Sequence, residues 1–362
     1  MKIVVVGTRG IPDIQGGVET HCEELYPRIV NLGGEVLLIR RSCYVKNHIK
    51  SYKGIELKDL YTPRQKGLEA FLHTFISVFY AKKAKADILH IHAIGPSIMT
   101  PLARLLGLKV VVTHHGQDYN RQKWGKIAKI VLKTGERLSA KYADELIVIS
   151  EEINSVVKQK YKRFDANLIY NGVNISLKTN ETTYVQSLGL TPKKYIFALG
   201  RFVKEKGFHG LIKAFTKLNN KEYQLVIAGD ADHHDMYSEE LKQTAKENDV
   251  ILTGFIKGEK LNELFSNAKL FVLPSFHEGL PISLLEAMSH DIDVLVSDIP
   301  ANREVKLPKE YYFECGNWDD LKNKMEEKLC QSEHIKYDLS KYNWDYIAEQ
   351  TIEIYKNIIN SI

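Results

Sequence analysis

The chain has 362 residues, of which 44% are hydrophobic and 26% are charged, with a formal net charge of +5. This length predicts two domains rather than one core, and the balance of residues is that of a globular protein, not a disordered one. The mild charge gives no indication of a nucleic-acid partner, and no apolar run approaches the length that spans a bilayer.

The cysteines and the first residues indicate the cellular compartment of the protein. The cysteines are far apart in sequence and form no CxxC pair, at positions 22, 43, 315 and 330. This pattern is typical of free thiols in a reducing compartment and predicts neither a zinc site nor a disulfide framework. The opening MKIVVVG is too short for a signal-peptide core and reads as a strand. We expect a cytoplasmic protein.

Short β-branched runs alternate with helical patterns in two series. The first series of predicted strands is Lys2–Val6, Glu35–Ile39, Ile88–Ile91, Val110–Thr113 and Leu146–Ile149. The second is Tyr195–Leu199, Gln224–Ala228, Val250–Leu252, Leu270–Leu273 and Val294–Ser297. Buried strands that alternate with helices form parallel sheets covered on both faces. The sequence therefore predicts an α/β protein with two doubly wound domains.

A polar, turn-rich stretch, SLKTNETTYVQSLGLTPKK, separates the two series. We therefore place an N-terminal domain at 1–178 and a C-terminal domain at 190–340. The last helix, within 342–362, is expected to pack back on the first domain. Paired domains of this kind bind their ligand in a cleft beyond the carboxyl ends of both sheets.

The first strand leads into the glycine-rich loop GTRGIPDIQGGVETH, which contains Gly7, Gly10, Gly16 and Gly17. Backbone amides at a helix N-terminus form a site for phosphate when no side chain blocks the approach. The alternative is a tight strand-to-helix turn without a ligand. The loop alone leaves both interpretations open.

Two motifs in the second half carry charged side chains next to predicted strands. GRFVKEKG follows a strand and presents Arg201 and Lys206, which suit phosphate oxygens. This motif alone favours the alternative of a solvated surface loop. HEGLPISLLEAMSH places Glu278 in a loop and Glu286 on the helix that starts near Pro281. Backbone amides at the start of this helix can bind an anion. The two carboxylates of the motif can accept hydrogen bonds from hydroxyl groups.

Together with NGV at Asn171 and the GGVETH loop, these motifs resemble the GT-B-fold retaining glycosyltransferases of family 4. THHGQDYNRQKWGK, AGDAD and SDIPANREV look more narrowly like the bacterial subgroup that contains polysaccharide rhamnosyltransferases. The resemblance covers nearly the whole chain. It implies two Rossmann-like domains with the donor cleft between them, and sugar transfer from dTDP-rhamnose or a UDP-sugar to a glycan acceptor, often polyprenyl-linked.

The resemblance also implies roles for particular residues. Arg201 and Lys206 would bind the donor diphosphate and Glu286 the ribose hydroxyls. Glu278 would contact the sugar, close to the amides of Gly279 and Leu280. Gly16 and Gly17 would let the backbone approach phosphate and sugar, which favours the ligand interpretation of the first loop.

The resemblance also implies roles for residues of the HHGQDY motif and a mechanism for the reaction. His115 matches the histidine that the family places near the sugar, with His114 as the alternative because a one-residue shift exchanges their directions. Asp118 and Asn171 are weaker candidates. The residues offer no convincing nucleophile for a covalent intermediate. The family mechanism is front-face attack, in which the departing phosphate oxygen takes the acceptor's proton.

The run GDADHHD could hold a divalent ion through a dense set of side chains, Asp230, Asp232, His233, His234 and Asp235. Enzymes of this family generally need no metal for the chemistry, so we expect no metal and no other cofactor. Binding of nucleic acid is not expected either.

Two basic amphipathic segments suggest contact with an anionic membrane at the inner face of the cell membrane. Between Arg121 and Lys141 there are seven basic residues and one acid, Glu136. The apolar residues at helical spacing in this segment are Trp124, Ile127, Ala128, Val131, Gly135 and Leu138. Segment 65–85 combines Leu68, Phe71, Leu72, Phe75 and Phe79 with Arg64, Lys66, Lys82, Lys83 and Lys85. A lysine-rich helix that simply covers the sheet is the alternative.

Other functions remain open at this stage. A GT-B-fold epimerase would act on a nucleotide sugar without an acceptor, whereas a phosphorylase would need a pyridoxal-phosphate lysine, for which there is no signature. An NADP-dependent oxidoreductase is suggested by Arg40 and Arg41 after the second strand, but the glycine spacing does not give GxGxxG. A non-catalytic binding module fits least, because nearly every donor-site position is filled.

Overall fold

The computed structural model describes residues 1–63, 68–120, 125–175, 178–218, 222–232, 235–330 and 335–360. The chain forms two compact units. Unit 1 comprises Met1–Gly172 and Trp344–Ile362, and unit 2 comprises Val173–Asn343.

Unit 1 is built on an eight-stranded sheet within the described residues, in the order β3-β4-β2-β1-β5-β6-β7-β8. All neighbouring strands are parallel except β3 and β4. The strands are β1 Lys2–Val6, β2 Glu35–Arg41, β3 Ser51–Tyr52, β4 Ile55–Leu60, β5 Ile88–His92, β6 Lys109–His114, β7 Glu145–Val148 and β8 Asn167–Leu168. The helices are α1 Gly17–Asn31, α2 Leu68–Lys83, α3 Thr100–Leu105, α4 Lys126–Tyr142 and α5 Glu151–Tyr161.

In unit 2 the described ranges form a six-stranded parallel sheet in the order β11-β10-β9-β12-β13-β14. The strands are β9 Tyr195–Leu199, β10 Gln224–Ala228, β11 Ile251–Gly254, β12 Leu270–Leu273, β13 Asp293–Ser297 and β14 Tyr312–Phe313. The helices are α6 Thr183–Ser187, α7 Phe208–Thr216, α8 Met236–Glu247, α9 Glu259–Asn267, α10 Ile282–Ser289, α11 Pro300–Arg303 and α12 Trp318–Cys330.

The last helix, α13 Trp344–Asn360, belongs to unit 1 and packs against α1. Trp344 lies against Gly172, where a Cβ atom would collide with the indole ring. Tyr355 is fully buried and its hydroxyl lies 2.6 Å from Nδ1 of His90 on β5. The chain therefore leaves unit 1 at Gly172, forms unit 2 and returns to complete the first core.

The prediction of α/β architecture with parallel sheets is confirmed. All ten predicted strands are present, with ends that differ by no more than two residues. The prediction missed the peripheral strands β3, β4, β8 and β14. β4 alternates buried and exposed residues over its first four positions, and the other three have two residues each. Continuous apolar runs mark strands of four or more residues, whereas β4 alternates in burial and a two-residue strand is too short to give a pattern.

Candidate active site

In unit 2 the strand order reverses around β9, which lies between β10 and β12. Ligands of doubly wound sheets bind beyond the carboxyl ends of the strands at such a reversal. The loop after β9 carries Arg201 and Lys206, and the loop after β12 carries Glu278. The two predicted donor motifs therefore meet at the topological switch point of one sheet.

The side chains of these loops form charge pairs. Nζ of Lys206 lies 2.6 Å from Oε1 of Glu278, and Nη1 of Arg201 lies 2.8 Å from Oδ2 of Asp232. All four side chains are less than one-fifth exposed. The Lys206–Glu278 pair joins a predicted phosphate-binding residue to a predicted sugar-binding residue, a contact that their separation of 72 positions could not reveal.

Glu278 is held as a carboxylate. Burial by itself would raise its pKa, but the Lys206 ammonium and the Ser275 hydroxyl, which donates to Oε1 at 2.6 Å, lower the pKa below its ordinary value. The amide of Phe276 donates to the carbonyl of Glu205 and ties the two loops together. Gly207 has a φ of 70°, and a side chain there would collide with the Pro274 carbonyl. This glycine lets the two loops approach closely.

Helix α10 starts as the sequence predicts. Pro281 is its N-cap, and Leu284, Leu285 and Met288 are buried. Glu286 is partly exposed on the same helix. Before the helix, Gly279 is partly exposed and Leu280 is buried. The helix thus presents one carboxylate while its apolar face anchors it.

The described carboxylates of the GDADHHD run each serve a local partner. Asp230 pairs with Lys242 at 2.9 Å, Asp232 pairs with Arg201, and Asp235 caps α8 in a capping box with Ser238. His233 and His234 lie outside the described residues. The three carboxylates therefore have separate structural roles.

In unit 1 the strand order reverses at β1, which lies between β2 and β5. The glycine-rich loop follows β1, and Gly16, with a φ of 147°, is the N-cap of α1. A Cβ atom at Gly16 would collide with the side chains of Glu19 and Arg9, whereas one at Gly17 would meet nothing within 4 Å. Arg9, which the sequence analysis did not single out, pairs with Glu19 at 2.9 Å and stiffens the loop.

The structure distinguishes the two adjacent histidines. His114 is buried, its Nε2 lies 3.0 Å from Oε1 of Glu136, and its Nδ1 accepts the amide hydrogen of Gly116. His114 is therefore a structural residue. His115 is partly exposed, and its Nε2 lies 2.9 Å from Nδ1 of His92. Asp118, in the next turn, is also partly exposed.

His115 belongs to a buried network that the sequence analysis did not predict. The hydroxyl of Tyr26 lies 2.5 Å from Nε2 of His92 and 3.0 Å from Nδ1 of His90. His21 on α1 bonds to the side chain of Asn171 at 3.0 Å. The signal for the network was the His-x-His pattern on β5, which puts both rings on the same face of the strand.

Helices α2 and α4 expose apolar side chains beside lysines. Ile127 is 81% exposed and Phe79 45%, and Ile130, Val131, Phe71 and Phe75 are exposed as well. On α4 the buried face is formed by Leu132, Gly135, Glu136, Ser139 and Ala140. The predicted apolar face, which grouped Ile127 and Val131 with Gly135, was therefore wrong in part.

The reason is that α4 exposes apolar residues on its outer face. Its buried face also includes polar residues, which a search for apolar periodicity does not count. Helix α3 packs against both α2 and α4, so the three helices are neighbours in unit 1. Arg64, Lys66, Arg121, Lys123 and Trp124 of the predicted basic segments lie outside the described residues. Within the described ranges, no helix combines the length and the apolar character that crossing a membrane requires.

Two family models match the chain. Residues 15–177 match Glycosyltransferase Family 4, and residues 180–343 match Glycosyl transferases group 1. An uncharacterized glycosyltransferase of Methanocaldococcus jannaschii is 27% identical over 98% of both chains. A GDP-mannose:cellobiosyl-diphosphopolyprenol alpha-mannosyltransferase of Xanthomonas oryzae is 24% identical over 76% of this chain and 75% of its own.

The solved structures agree at the level of fold. Sucrose-phosphate synthase from Thermosynechococcus elongatus superposes with a TM-score of 0.85 and 20% identity over the full length of both chains. Anabaena HepE in complex with UDP-glucose gives a TM-score of 0.75 and 18% identity, over 100% of this chain and 99% of that one.

Two Rossmann-like α/β domains with parallel sheets, of the kind found in these structures, define the GT-B fold. The chain has this fold and carries a Glycosyltransferase Family 4 domain followed by a Glycosyl transferases group 1 domain, and it is a hexosyltransferase.

Proposed function

We propose that this enzyme transfers a sugar, with retention of configuration, from a nucleotide-diphosphate donor to a lipid-linked glycan acceptor in bacterial polysaccharide assembly. The donor is dTDP-rhamnose or a UDP-sugar. The observation that carries the proposal is the meeting of Arg201, Lys206 and Glu278 at the switch point of the second sheet. Glu286 on α10 supplies a further carboxylate.

The charge pairs suggest how the donor binds. Arg201 and Lys206 are cations already balanced by carboxylates. A diphosphate that contacts both cations weakens these pairs and leaves Glu278 free to accept hydrogen bonds from sugar hydroxyls. In this scheme Gly16 and Gly17 offer backbone amides at the start of α1, and His115 contacts the sugar.

The enzyme catalyses the chemical step by positioning the substrates and stabilising charge, without forming a covalent enzyme intermediate. The bond between the anomeric carbon and the diphosphate oxygen breaks, and the acceptor oxygen bonds to the same carbon on the same face. The departing phosphate oxygen takes the acceptor's proton. Arg201 and Lys206 stabilise the negative charge that grows on the diphosphate. No metal ion or other cofactor takes part.

The names of two similar proteins support the donor and acceptor classes. One solved relative holds UDP-glucose, and a curated relative acts on a diphosphopolyprenol-linked saccharide. A lipid-linked acceptor also fits the exposed side of α2 and α4. We propose that this side contacts an anionic membrane, at the cytoplasmic face, through its apolar and basic residues.

The test is release of nucleoside diphosphate from a panel of UDP-, dTDP- and GDP-sugars, with and without EDTA. We expect slow hydrolysis of one donor that survives EDTA. Lys206→Ala should abolish the hydrolysis. Lys217→Ala is the matched control, because Nζ of Lys217 also pairs with a carboxylate, at 2.5 Å, but on the exposed surface.

Two results would contradict the proposal. If no donor is turned over and none raises the melting temperature, the chain binds none of these donors and the proposal is wrong. If EDTA abolishes hydrolysis, the metal-free mechanism is wrong and the GDADHHD run becomes the first candidate for the ion.

A further inference from the structure

Three histidines of unit 1 converge at the switch point of the first sheet. His21 lies on α1, His92 ends β5 and His115 follows β6. One ring nitrogen from each histidine lies within 4.8 Å of the other two. The ring centroids are 4.8 Å apart for His21 and His115, 5.2 Å for His92 and His115, and 5.5 Å for His21 and His92.

The ring of His21 is oriented by Asn171. Nδ1 of His21 donates to the side-chain oxygen of Asn171 at 3.0 Å, since an amide oxygen can only accept. Nε2 therefore carries a lone pair. His21 is only 3% exposed, and within the described residues its Nε2 has no hydrogen-bond partner. A buried acceptor without a partner is unusual, and a bound cation would satisfy it.

The other two rings already share one interaction. Nδ1 of His92 and Nε2 of His115 are 2.9 Å apart, and one proton lies between them. When Nε2 of His92 donates to the Tyr26 hydroxyl, Nδ1 of His92 is free to bind a metal. Nε2 of His115 is free when Nδ1 carries the proton. To bind a metal ion, the two rings therefore need only to adopt these tautomers. Both rings stay neutral, and neither has to release a proton to the solvent.

The lowered pKa values of the three histidine rings favour the binding of a metal ion. Burial lowers the pKa of His21 to about 4, and burial together with the neighbouring histidines lowers the pKa values of His92 and His115 as well. Neutral imidazole is the form that binds metal ions.

We propose that His21, His92 and His115 bind one divalent transition-metal ion, for which Zn²⁺ is the best match. Three imidazoles with an open fourth position form a known arrangement for Zn²⁺, whereas Mg²⁺ and Ca²⁺ prefer oxygen ligands. Zn–N bonds of 2.0–2.1 Å place tetrahedral nitrogens about 3.4 Å apart, so ring shifts of about 1 Å assemble the site. Asn171 and Tyr26 hold the outer nitrogens, as groups around metal sites commonly do.

This site inhibits the enzyme rather than serving its chemistry. A metal ion bound to Nε2 of His115 fixes the ring that we propose for contact with the donor sugar. Micromolar zinc should therefore slow donor hydrolysis, and EDTA should restore it. This consequence rests on the proposed function, whereas metal binding itself does not.

Binding is measured by titration calorimetry of Zn²⁺ into the tag-free, full chain, and by the visible absorption of bound Co²⁺. We expect one site per chain. His115→Ala should remove it, and because this side chain is partly exposed its loss disturbs packing least. Asn171→Ala should weaken binding about 10–100-fold by releasing the ring of His21. Thermal unfolding without metal checks that each variant is folded.

The matched control is the double variant His233→Ala and His234→Ala, which removes the histidines of the other candidate cluster. It should bind zinc like the unaltered chain. The proposal is overturned if the unaltered chain binds no zinc, or if His115→Ala retains the site and the double variant loses it. If zinc binds but leaves donor hydrolysis unchanged, inhibition is overturned while the site stands. If no donor is hydrolysed at all, the proposed function fails and calorimetry still decides on the site.

Discussion

Glu136 shows how much one residue can organise. It is the single acid in a basic stretch of sequence, yet its side chain is fully buried. It accepts hydrogen bonds from His114, Tyr119, Lys160 and Tyr161 at 2.5–3.2 Å. Burial by itself would raise its pKa, but the bonds from His114, Lys160 and Tyr161 outweigh burial and lower the pKa to about 2.

Replacing Glu136 by Gln should therefore destabilise the protein. The variant keeps the volume but leaves buried donors without a charged acceptor, which typically costs about 1–3 kcal/mol. Urea unfolding at pH 7 measures the loss. Glu35→Gln is the control, since Glu35 forms an exposed pair with Lys2 and should change stability by less than about 0.5 kcal/mol. Equal stability of the two variants would contradict this assignment.

The pH dependence of the same residue has a definite sign. The pKa of Glu136 is lower in the folded protein than its ordinary value of 4.5. Its stabilising contribution is therefore complete above pH 4.5 and is lost as the pH falls through about 2. The Gln variant should lack this part of the acid transition.

At the scale of elements, α4 presents two different faces. Its inner face holds Glu136 against His114 at the end of β6. Its outer face exposes Ile127 and Ile130 beside Lys126 and Lys133. An exposed apolar face flanked by lysines is typical of helices that lie on anionic membranes.

The double variant Ile127→Ser and Ile130→Ser should bind anionic vesicles at least tenfold more weakly, because each isoleucine buries apolar area in the membrane. Co-sedimentation with phosphatidylglycerol vesicles measures this, and binding should fall as salt rises. Ile175→Ser is the matched control, because Ile175 is 77% exposed but lies in unit 2. Unchanged binding of the double variant would exclude this face as the membrane contact.

Central strands could be predicted from the sequence, whereas pairs of contacting side chains could not. Continuous apolar runs located β1 and β9. The donor-binding roles of Lys206 and Glu278 stay predictions. The contact between these two side chains depends on how two loops meet, which spacing along the chain does not encode. Likewise, the buried role of Glu136 was hidden because periodicity treats every acid as an outward-facing residue.

At the scale of the whole molecule, unit 1 contains several buried histidines whose pKa values are lowered, so that they are neutral in the folded protein. Burial lowers the pKa of His90 to about 3 and that of His73 to about 3, and His21, His92 and His115 are lowered as well. All five belong to unit 1. Between pH 6.5 and the lowered values, the unfolded chain binds protons that the folded chain does not.

Unit 1 should therefore lose stability steeply as the pH falls from 6.5 towards 4. Each of these histidines removes about 1.4 kcal/mol per pH unit in that window. Calorimetry at pH 5.5, in buffers of different ionisation enthalpy, measures proton uptake on unfolding, and His90→Asn should reduce the uptake by about one proton. A melting temperature that stays constant between pH 7 and pH 5 would contradict the prediction.

The return of α13 to unit 1 has a consequence for synthesis on the ribosome. Unit 2 is one continuous stretch of chain, so all of its strands are available while later residues are still being made. Unit 1 starts first but must wait for Trp344 and Tyr355, which cover Gly172 and His90. The domain that is translated first is thus the one that is completed last, and until then Gly172 and His90 lack the side chains that pack on them.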